Sequence, residues 1–240
     1  MKRYFFMLLA GVVSVISVNA RTLVVYYSYT ENVHKIVTAL SGQIEADVVR
    51  IQPAEKGLDY EANNYAIGSA QIAAIRNNPD DAASYPAIDP VDVNLSDYDC
   101  IIIGAPLWWS QMAAPLQTFL FQHGAEMAGK RIGLIVSSAS SGISGVEADA
   151  RRLIPDGDFF RSSLWIRSSQ TSNAASLLSQ WLKDINYDAM TGINEVADNA
   201  AEYFTVYSLG GTLIGRNMAT IDNLKKGLYV VNGMKIFLRR

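Results

Sequence analysis

The order of apolar runs predicts an α/β protein: a doubly wound parallel sheet with helices on both faces, followed by a small all-β unit. Two observations predict it. Five short runs rich in Val, Ile and aromatic residues read as strands, the first and third apolar throughout as in strands buried on both faces, and segments with apolar residues at helical spacing separate them. Beyond residue 186 this alternation gives way to a polar stretch and then to short strands paired around Gly-Gly and Asn-Gly turns.

Composition sets the outer bounds. The chain has 240 residues, 50% hydrophobic and 18% charged, which accommodates one α/β domain and something small and argues against a disordered or fibrous protein. A single cysteine, Cys100, excludes an internal disulfide and any all-cysteine metal site, and two unclustered histidines, His34 and His123, argue against a protein-held transition metal. The formal net charge of −3 gives a nucleic-acid partner no electrostatic support. Residues 21–186 carry 12 basic and 18 acidic side chains, whereas residues 187–240 carry 6 and 5, so an acidic body is joined to a nearly neutral tail.

Residues 1–20 read as an address. Lys2 and Arg3 precede an apolar run over 5–18, broken only by Ser14 and Ser17, and Val18 and Ala20 supply small residues at cleavage spacing, the pattern of a secretory signal peptide. The run is shorter than the about 20 apolar residues a membrane span needs. An exported chain, in the periplasm or at the cell surface and with no transmembrane helix once mature, is expected.

The body over 21–186 begins with a strand at 23–27 and a polar turn, and a helix follows on Val33, Ile36, Val37 and Leu40. A second strand is predicted at 47–51. Residues 52–98 are long and irregular, punctuated by Pro53, Pro79, Pro86 and Pro90, with a helix over 62–76. A third strand at 99–104 leads to a helix over 115–121 with Pro115 near its first turn. A fourth strand at 130–137, a helix at 146–153, a fifth strand at 159–166 and a helix at 174–185 complete it. Residues 187–200 read as a linker, and 201–240 as a module of two hairpins, too small to be more than marginally stable alone.

In such a sheet ligands bind past the carboxyl ends of the strands, at the topological switch point. Three loops lie there. Ser28-Tyr29-Thr30-Glu31-Asn32-Val33 offers hydroxyls and orphan amides at a helix start, which suits a phosphate; it reads equally as an ordinary helix capped by Thr30 or Asn32. Gly104-Ala105-Pro106-Leu107-Trp108-Trp109-Ser110-Gln111 carries adjacent indoles that cannot both enter one core. They cover a flat apolar ligand, or they roof the domain or meet the 52–98 segment, as one of the pair can. Ser137-Ser138-Ala139-Ser140-Ser141-Gly142 is small and lets backbone approach a ligand, or is a plain connection. Together the three describe a site for a flat heteroaromatic phosphate.

Over residues 22–185 the chain resembles the flavodoxin family. The resemblance rests on Val24-Val25-Tyr26-Tyr27-Ser28-Tyr29-Thr30-Glu31-Asn32, on Tyr98-Asp99-Cys100-Ile101-Ile102-Ile103-Gly104-Ala105-Pro106-Leu107-Trp108-Trp109, and on Ala114-Pro115-Leu116-Gln117-Thr118-Phe119-Leu120 with Gly129-Lys130-Arg131-Ile132. It implies a flavodoxin-like five-stranded parallel sheet of order 2-1-3-4-5 holding FMN non-covalently. Ser28, Thr30, Asn32 and Val33 match the phosphate loop, Pro106, Leu107, Trp108 and Trp109 the loop beside the isoalloxazine, and Ser138, Ala139, Ser140 and Gly142 the loop at its other edge. The sequence departs from the family where Glu31 and Val33 replace the usual Gly and Thr. A glutamate beside a phosphate repels it by roughly 1 kcal/mol at 4 Å in water, with His34 or Lys35 expected to compensate.

The resemblance implies electron transfer, or a small flavin-dependent reductase of the NAD(P)H:quinone type, with a redox partner or small-molecule acceptor that the residues do not identify. No Ser/His/Asp nucleophile set is evident and no catalytic side chain is assigned. A flavin-free module binding an apolar ligand or protein through Trp108 and Trp109 is the alternative. The tail, in Val206-Tyr207-Ser208-Leu209-Gly210-Gly211 and Leu224-Lys225-Lys226-Gly227-Leu228-Tyr229-Val230-Val231, resembles the C-terminal β modules of the type IX secretion route; an accessory β domain without targeting duty is the alternative reading.

Overall fold

The computed structural model describes residues 20–191, 204–218 and 220–238. All of the expected signal peptide but Ala20 lies outside the described residues, as does the greater part of the expected linker.

The body carries, in order, β1 (Thr22–Tyr26), α1 (Asn32–Ser41), β2 (Asp47–Arg50), α2 (Ala62–Asn77), β3 (Cys100–Trp108), β4 (Gln111–Met112), α3 (Ala114–His123), β5 (Arg131–Ser138), α4 (Ser144–Leu153), β6 (Asp158–Phe159), β7 (Leu164–Arg167), α5 (Ala174–Asp184) and α6 (Tyr187–Thr191). The parallel sheet runs β2-β1-β3-β5, with β6 and β7 in turn on the outer side of β5, which is the expected 2-1-3-4-5 order. β4 folds back antiparallel on the end of β3.

Strict alternation explains why the strands are apolar throughout. Leu23, Val25, Ile101, Ile103, Ile132, Leu134 and Val136 face one core, closed by Ile72 and Ile75 of α2, Leu116 and Phe119 of α3 and Val146 of α4. Val24, Tyr26, Cys100, Ile102 and Ile135 face the other, closed by Val33, Ile36, Val37 and Leu40 of α1 and by Leu178, Trp181 and Leu182 of α5. In the central strands β1, β3 and β5 the apolar residues therefore leave water on one side or the other. Burial also pushes the Cys100 thiol up to about 12, so it packs as a small apolar group and is not a thiolate at neutral pH.

Two expectations are corrected. The fifth strand is not continuous: the four residues from Ile132 to Ile135 on β5 oppose six on the edge, from Phe159 to Leu164. The excursion is held by Trp181, whose indole N–H donates to the Ser162 carbonyl at 2.9 Å and whose ring meets Phe160 edge-on. The linker does not begin at 187. Tyr187 opens α6, is 2% exposed within the second core, and shares a 2.7 Å hydroxyl–hydroxyl hydrogen bond with Thr22 of β1.

The helix predicted at 62–76 is present, but it opens unusually. Asn63, Asn64 and Tyr65 have φ of 50°, 58° and 62°, a left-handed turn of three residues before the right-handed helix begins. Asn tolerates this region through its short polar side chain; Tyr does not, and Tyr65 stands exposed.

The tail forms one antiparallel sheet, β11-β10-β8-β9, from β8 (Phe204–Ser208), β9 (Leu213–Met218), β10 (Gly227–Val231) and β11 (Met234–Leu238). Both expected hairpins are there, and Asn232-Gly233 makes a type I′ turn with φ of 50° and 83°. Its buried side chains are Val206, Val231 and Ile236, a small core for an independent unit. Leu209, Leu228 and Lys235 instead share a cavity of about 520 Å³ with Arg21, Thr22, Glu45 and Tyr187 of the body.

Replacement of Tyr187 separates a core residue from a linker residue. Tyr187→Ala is expected to destabilise the body by about 3–5 kcal/mol in urea unfolding, as for other buried aromatics, where an exposed linker position would change it by less than about 0.5 kcal/mol.

Candidate functional site

The parallel register sets the carboxyl ends of β1, β3 and β5 side by side, with Tyr26 opposite Gly104 and Gly104 opposite Ile135. The loops after these strands therefore begin side by side at one edge of the sheet.

The turn after β1 brings two hydroxyls to the start of α1. Ser28 is buried, and its hydroxyl oxygen accepts the His34 backbone N–H at 3.2 Å, so Ser28 caps α1 from outside the helix. The Thr30 hydroxyl is exposed and accepts from the Asn32 side-chain amide at 3.2 Å. Each oxygen being used as an acceptor, each keeps its own proton to donate. Neither Thr30 nor Asn32 is the cap: Glu31 holds that position at φ 60°, and its side chain makes no capping bond, so the side-chain acceptor at the start of α1 is Ser28, which takes the His34 amide. The Val33 side chain is only 1% exposed and lies in the second core, so only its backbone can serve a ligand.

Glu31 is answered by neither His34 nor Lys35. Its carboxylate is gripped by the Arg50 guanidinium at 2.5 and 3.2 Å, and Arg50 also donates to the Ser28 carbonyl at 2.8 Å. Pairing with Glu31 holds the Arg50 pKa above its ordinary value. His34 is engaged elsewhere, its Nδ1 2.7 Å from the Tyr26 hydroxyl. Tyr27, Ser28, Tyr29, Arg50, Lys56 and Tyr60 border a cavity of about 200 Å³ beside this turn.

The second loop is a hairpin. Trp108 pairs with Gln111 across a two-residue turn in which Trp109 and Ser110 both have positive φ, 46° and 64°. The indoles part ways there. Trp108 is half-buried, its centroid 4.8 Å from Tyr60 and 5.6 Å from Tyr27, while Trp109 is 44% exposed and set edge-on to Trp108. Both meet the 52–98 segment, Trp109 through Gly68, where an added Cβ would lie 3.0 Å from the indole. Tyr60 thus packs against Trp108 at an interplanar angle of 48°. Pro106 and Leu107 are half-buried in β3.

The hairpin tip is pinned. Gly145 of α4 lies so close that a Cβ there would sit 1.8 Å from the Ser110 carbonyl oxygen. The buried Asp149 carboxylate accepts the Met112 N–H at 2.8 Å and lies 3.5 Å from the Arg152 guanidinium, which donates to Gln117 at 2.9 Å. Burial raises the Asp149 pKa, so its contribution to stability is greatest when the carboxyl is protonated and shrinks as pH rises through the folded-state value.

In the third loop Ser138 is committed to structure: its hydroxyl accepts from the Trp165 indole at 2.9 Å and donates to the Ser141 carbonyl at 2.8 Å. Ala139, Ser140, Ser141 and Gly142 are exposed, and nothing lies within 4 Å of a Cβ placed on Gly142. Sequence reasoning thus missed Arg50, Tyr60, Asp149 and Trp165. Arg50 alone had a signal, standing at the end of β2 beside the end of β1. Among the described residues no group of three His, Cys, Asp or Glu could hold a metal ion, and no helix is long and apolar enough to cross a membrane.

Comparison with known proteins agrees with this geometry. The flavodoxin family model matches residues 21–185, and the chain belongs to the flavodoxin family. Among solved structures, a provisionally assigned flavoprotein of Bacteroides uniformis ATCC 8492 is 24% identical, covering 69% of this chain and 99% of its own, with a TM-score of 0.54. A flavoprotein of Lactobacillus acidophilus NCFM in complex with FMN is 21% identical, covering 65% and 99%, with a TM-score of 0.51. At these identities the likeness is one of fold. No curated protein matches the chain.

Asp149→Ala leaves the Met112 N–H buried without an acceptor. It is expected to destabilise the protein by about 1–3 kcal/mol in urea unfolding and to shift Trp109 fluorescence as the hairpin loosens.

Proposed function

We propose that the chain is an FMN-binding electron-transfer protein, and that it is exported. The observation that carries the cofactor is the turn after β1, where the Ser28 and Thr30 hydroxyls and the first amides of α1 gather past the carboxyl end of the strand. That donor set fits a phosphate. Past the ends of the neighbouring strands, an exposed indole and a small-residue loop with free backbone fit a planar ring. The residues present therefore fit FMN, and the family membership and the FMN complex of the Lactobacillus protein support the same reading.

Ser28, Thr30 and the amides of Asn32 and Val33 would hold the phosphate. Trp109, the backbone around Pro106 and Leu107, and the backbone of Ala139, Ser140 and Gly142 would border the ring. When bound, FMN supplies reversible electron acceptance. The chain contributes position and field: the excess of 18 acidic over 12 basic side chains over 21–186 makes added negative charge at the ring less favourable, which lowers a reduction potential. Reductase activity toward a quinone-type acceptor with NAD(P)H would use the same face. The leader pattern of residues 1–20 supports export, and the β module's phrases support sorting by the type IX route.

A second reading is favoured by one observation, the packing of Tyr60 against Trp108. A chain whose aromatic wall is already satisfied internally could serve as a flavin-free binding module. Titration separates the two. The first expects a 1:1 complex with FMN, a yellow band and quenching of Trp109, with Trp109→Ala weakening FMN about 5-fold to 100-fold, the range of one stacking contact. A colourless protein whose fluorescence ignores added FMN supports the second.

A further inference from the structure

Glu31 stands where two considerations disfavour it. Its backbone is left-handed, φ 60° and ψ 3°, a conformation that glycine adopts easily and glutamate does not. Its charge also lies at the turn that the reading above gives to a phosphate. What holds it there is Arg50, whose two terminal nitrogens meet the two carboxylate oxygens at 2.5 and 3.2 Å in a fork-to-fork pair. Three further restraints fix the guanidinium. Arg50 pairs in register with Tyr26 of β1, lies over the Tyr26 ring at 5.9 Å, and donates to the Ser28 carbonyl at 2.8 Å. Arg50 is thus tied at once to the backbone of the phosphate turn and to the one acid within it. The Arg50 side chain is 29% exposed and that of Glu31 45%, so the pair faces the turn and is not sealed in a core.

The pair is neutral as a unit. Without Arg50, Glu31 would present a full like charge to an incoming phosphate; without Glu31, Arg50 would present an attractive one. Resting on the FMN reading, we propose that Arg50 is a positioning residue that makes the turn selective for a phosphorylated flavin, drawing the Glu31 carboxylate toward β2 and neutralising it so that FMN is preferred over riboflavin. The effect belongs to the phosphate end alone, because the ring end is formed by other loops.

Calorimetric titration of the full apo chain with FMN and with riboflavin tests this in the wild type, Arg50→Met, Glu31→Gln and the double variant. Glu31→Gln keeps the size and the strained backbone and removes only the charge. Arg50→Met is expected to weaken FMN about five-fold or more, the factor for one unscreened like charge near 4 Å in water, and to leave riboflavin unchanged. Glu31→Gln is expected to tighten FMN, and the double variant to return within about two-fold of the wild type, as a cancelled pair requires. Equal losses for FMN and riboflavin in Arg50→Met would overturn the proposal, since the arginine would then only hold the fold. Failure of Glu31→Gln to rescue Arg50→Met would overturn it too. A wild type that binds FMN with variants unaltered removes this role and leaves the cofactor reading standing, whereas a wild type that binds neither flavin removes both.

Discussion

The in-phase parallel register of β1, β3 and β5 is the constraint on which the rest of the structure depends. Because these strands are buried on both faces, each residue is committed to one of two cores, Leu23, Val25 and Ile101 to one and Val24, Cys100 and Ile102 to the other. A slip of one residue would exchange the two sets against helices shaped for the opposite ones. That commitment brings the three strand ends level. A hydroxyl-bearing turn, an aromatic hairpin and a small-residue loop, separated by long stretches of sequence, thereby lie side by side past one edge of the sheet.

Glu31 and Val33 look in sequence like losses from an anion site, and the structure gives each a different meaning. Val33 is a core residue, packed where its γ1 methyl would lie 3.1 Å from a Cβ on Gly104. Its side chain was never available to a ligand, and the helix keeps its amide regardless. Glu31 has a partner supplied from β2. A departure from a family pattern reads as damage only while its neighbours are unknown, and here the neighbour is 19 residues away in sequence.

The sheet order, both faces of the core and the Asn232-Gly233 turn were legible because each follows from local pattern: two-sided burial from unbroken apolar runs, a type I′ turn from Asn-Gly. Elements decided by a single distant partner were not. Tyr187 looked like the start of a polar linker because its neighbours are polar, yet one ring and one hydroxyl, bonded to Thr22, keep it in the body. The break in the fifth strand needs Trp181 to reach the Ser162 carbonyl, and no periodicity within 159–166 announces that. At the candidate site the hydroxyls at the start of α1 were readable, and the Ser28 bond to the His34 N–H places one of them. Tyr60 lay in an irregular run where nothing distinguishes one tyrosine from Tyr65, which is exposed.

The adjacent indoles show how that tertiary information divides work between like residues. Trp108 is the last residue of β3, and its contacts with Tyr27 and Tyr60 weld the long 52–98 segment to the sheet. Trp109 begins the turn, and it and Ser110 both occupy the left-handed region, at about 1–2 kcal/mol each for non-glycine residues. Asn-Gly would make this turn without strain, as it does in the tail. Strain of this kind persists only where the surroundings over-determine it, and here Gly145 leaves room for the Ser110 carbonyl while Asp149 holds the Met112 N–H. A large aromatic side chain is thus kept outward by a turn whose returning strand is held directly by a buried carboxylate.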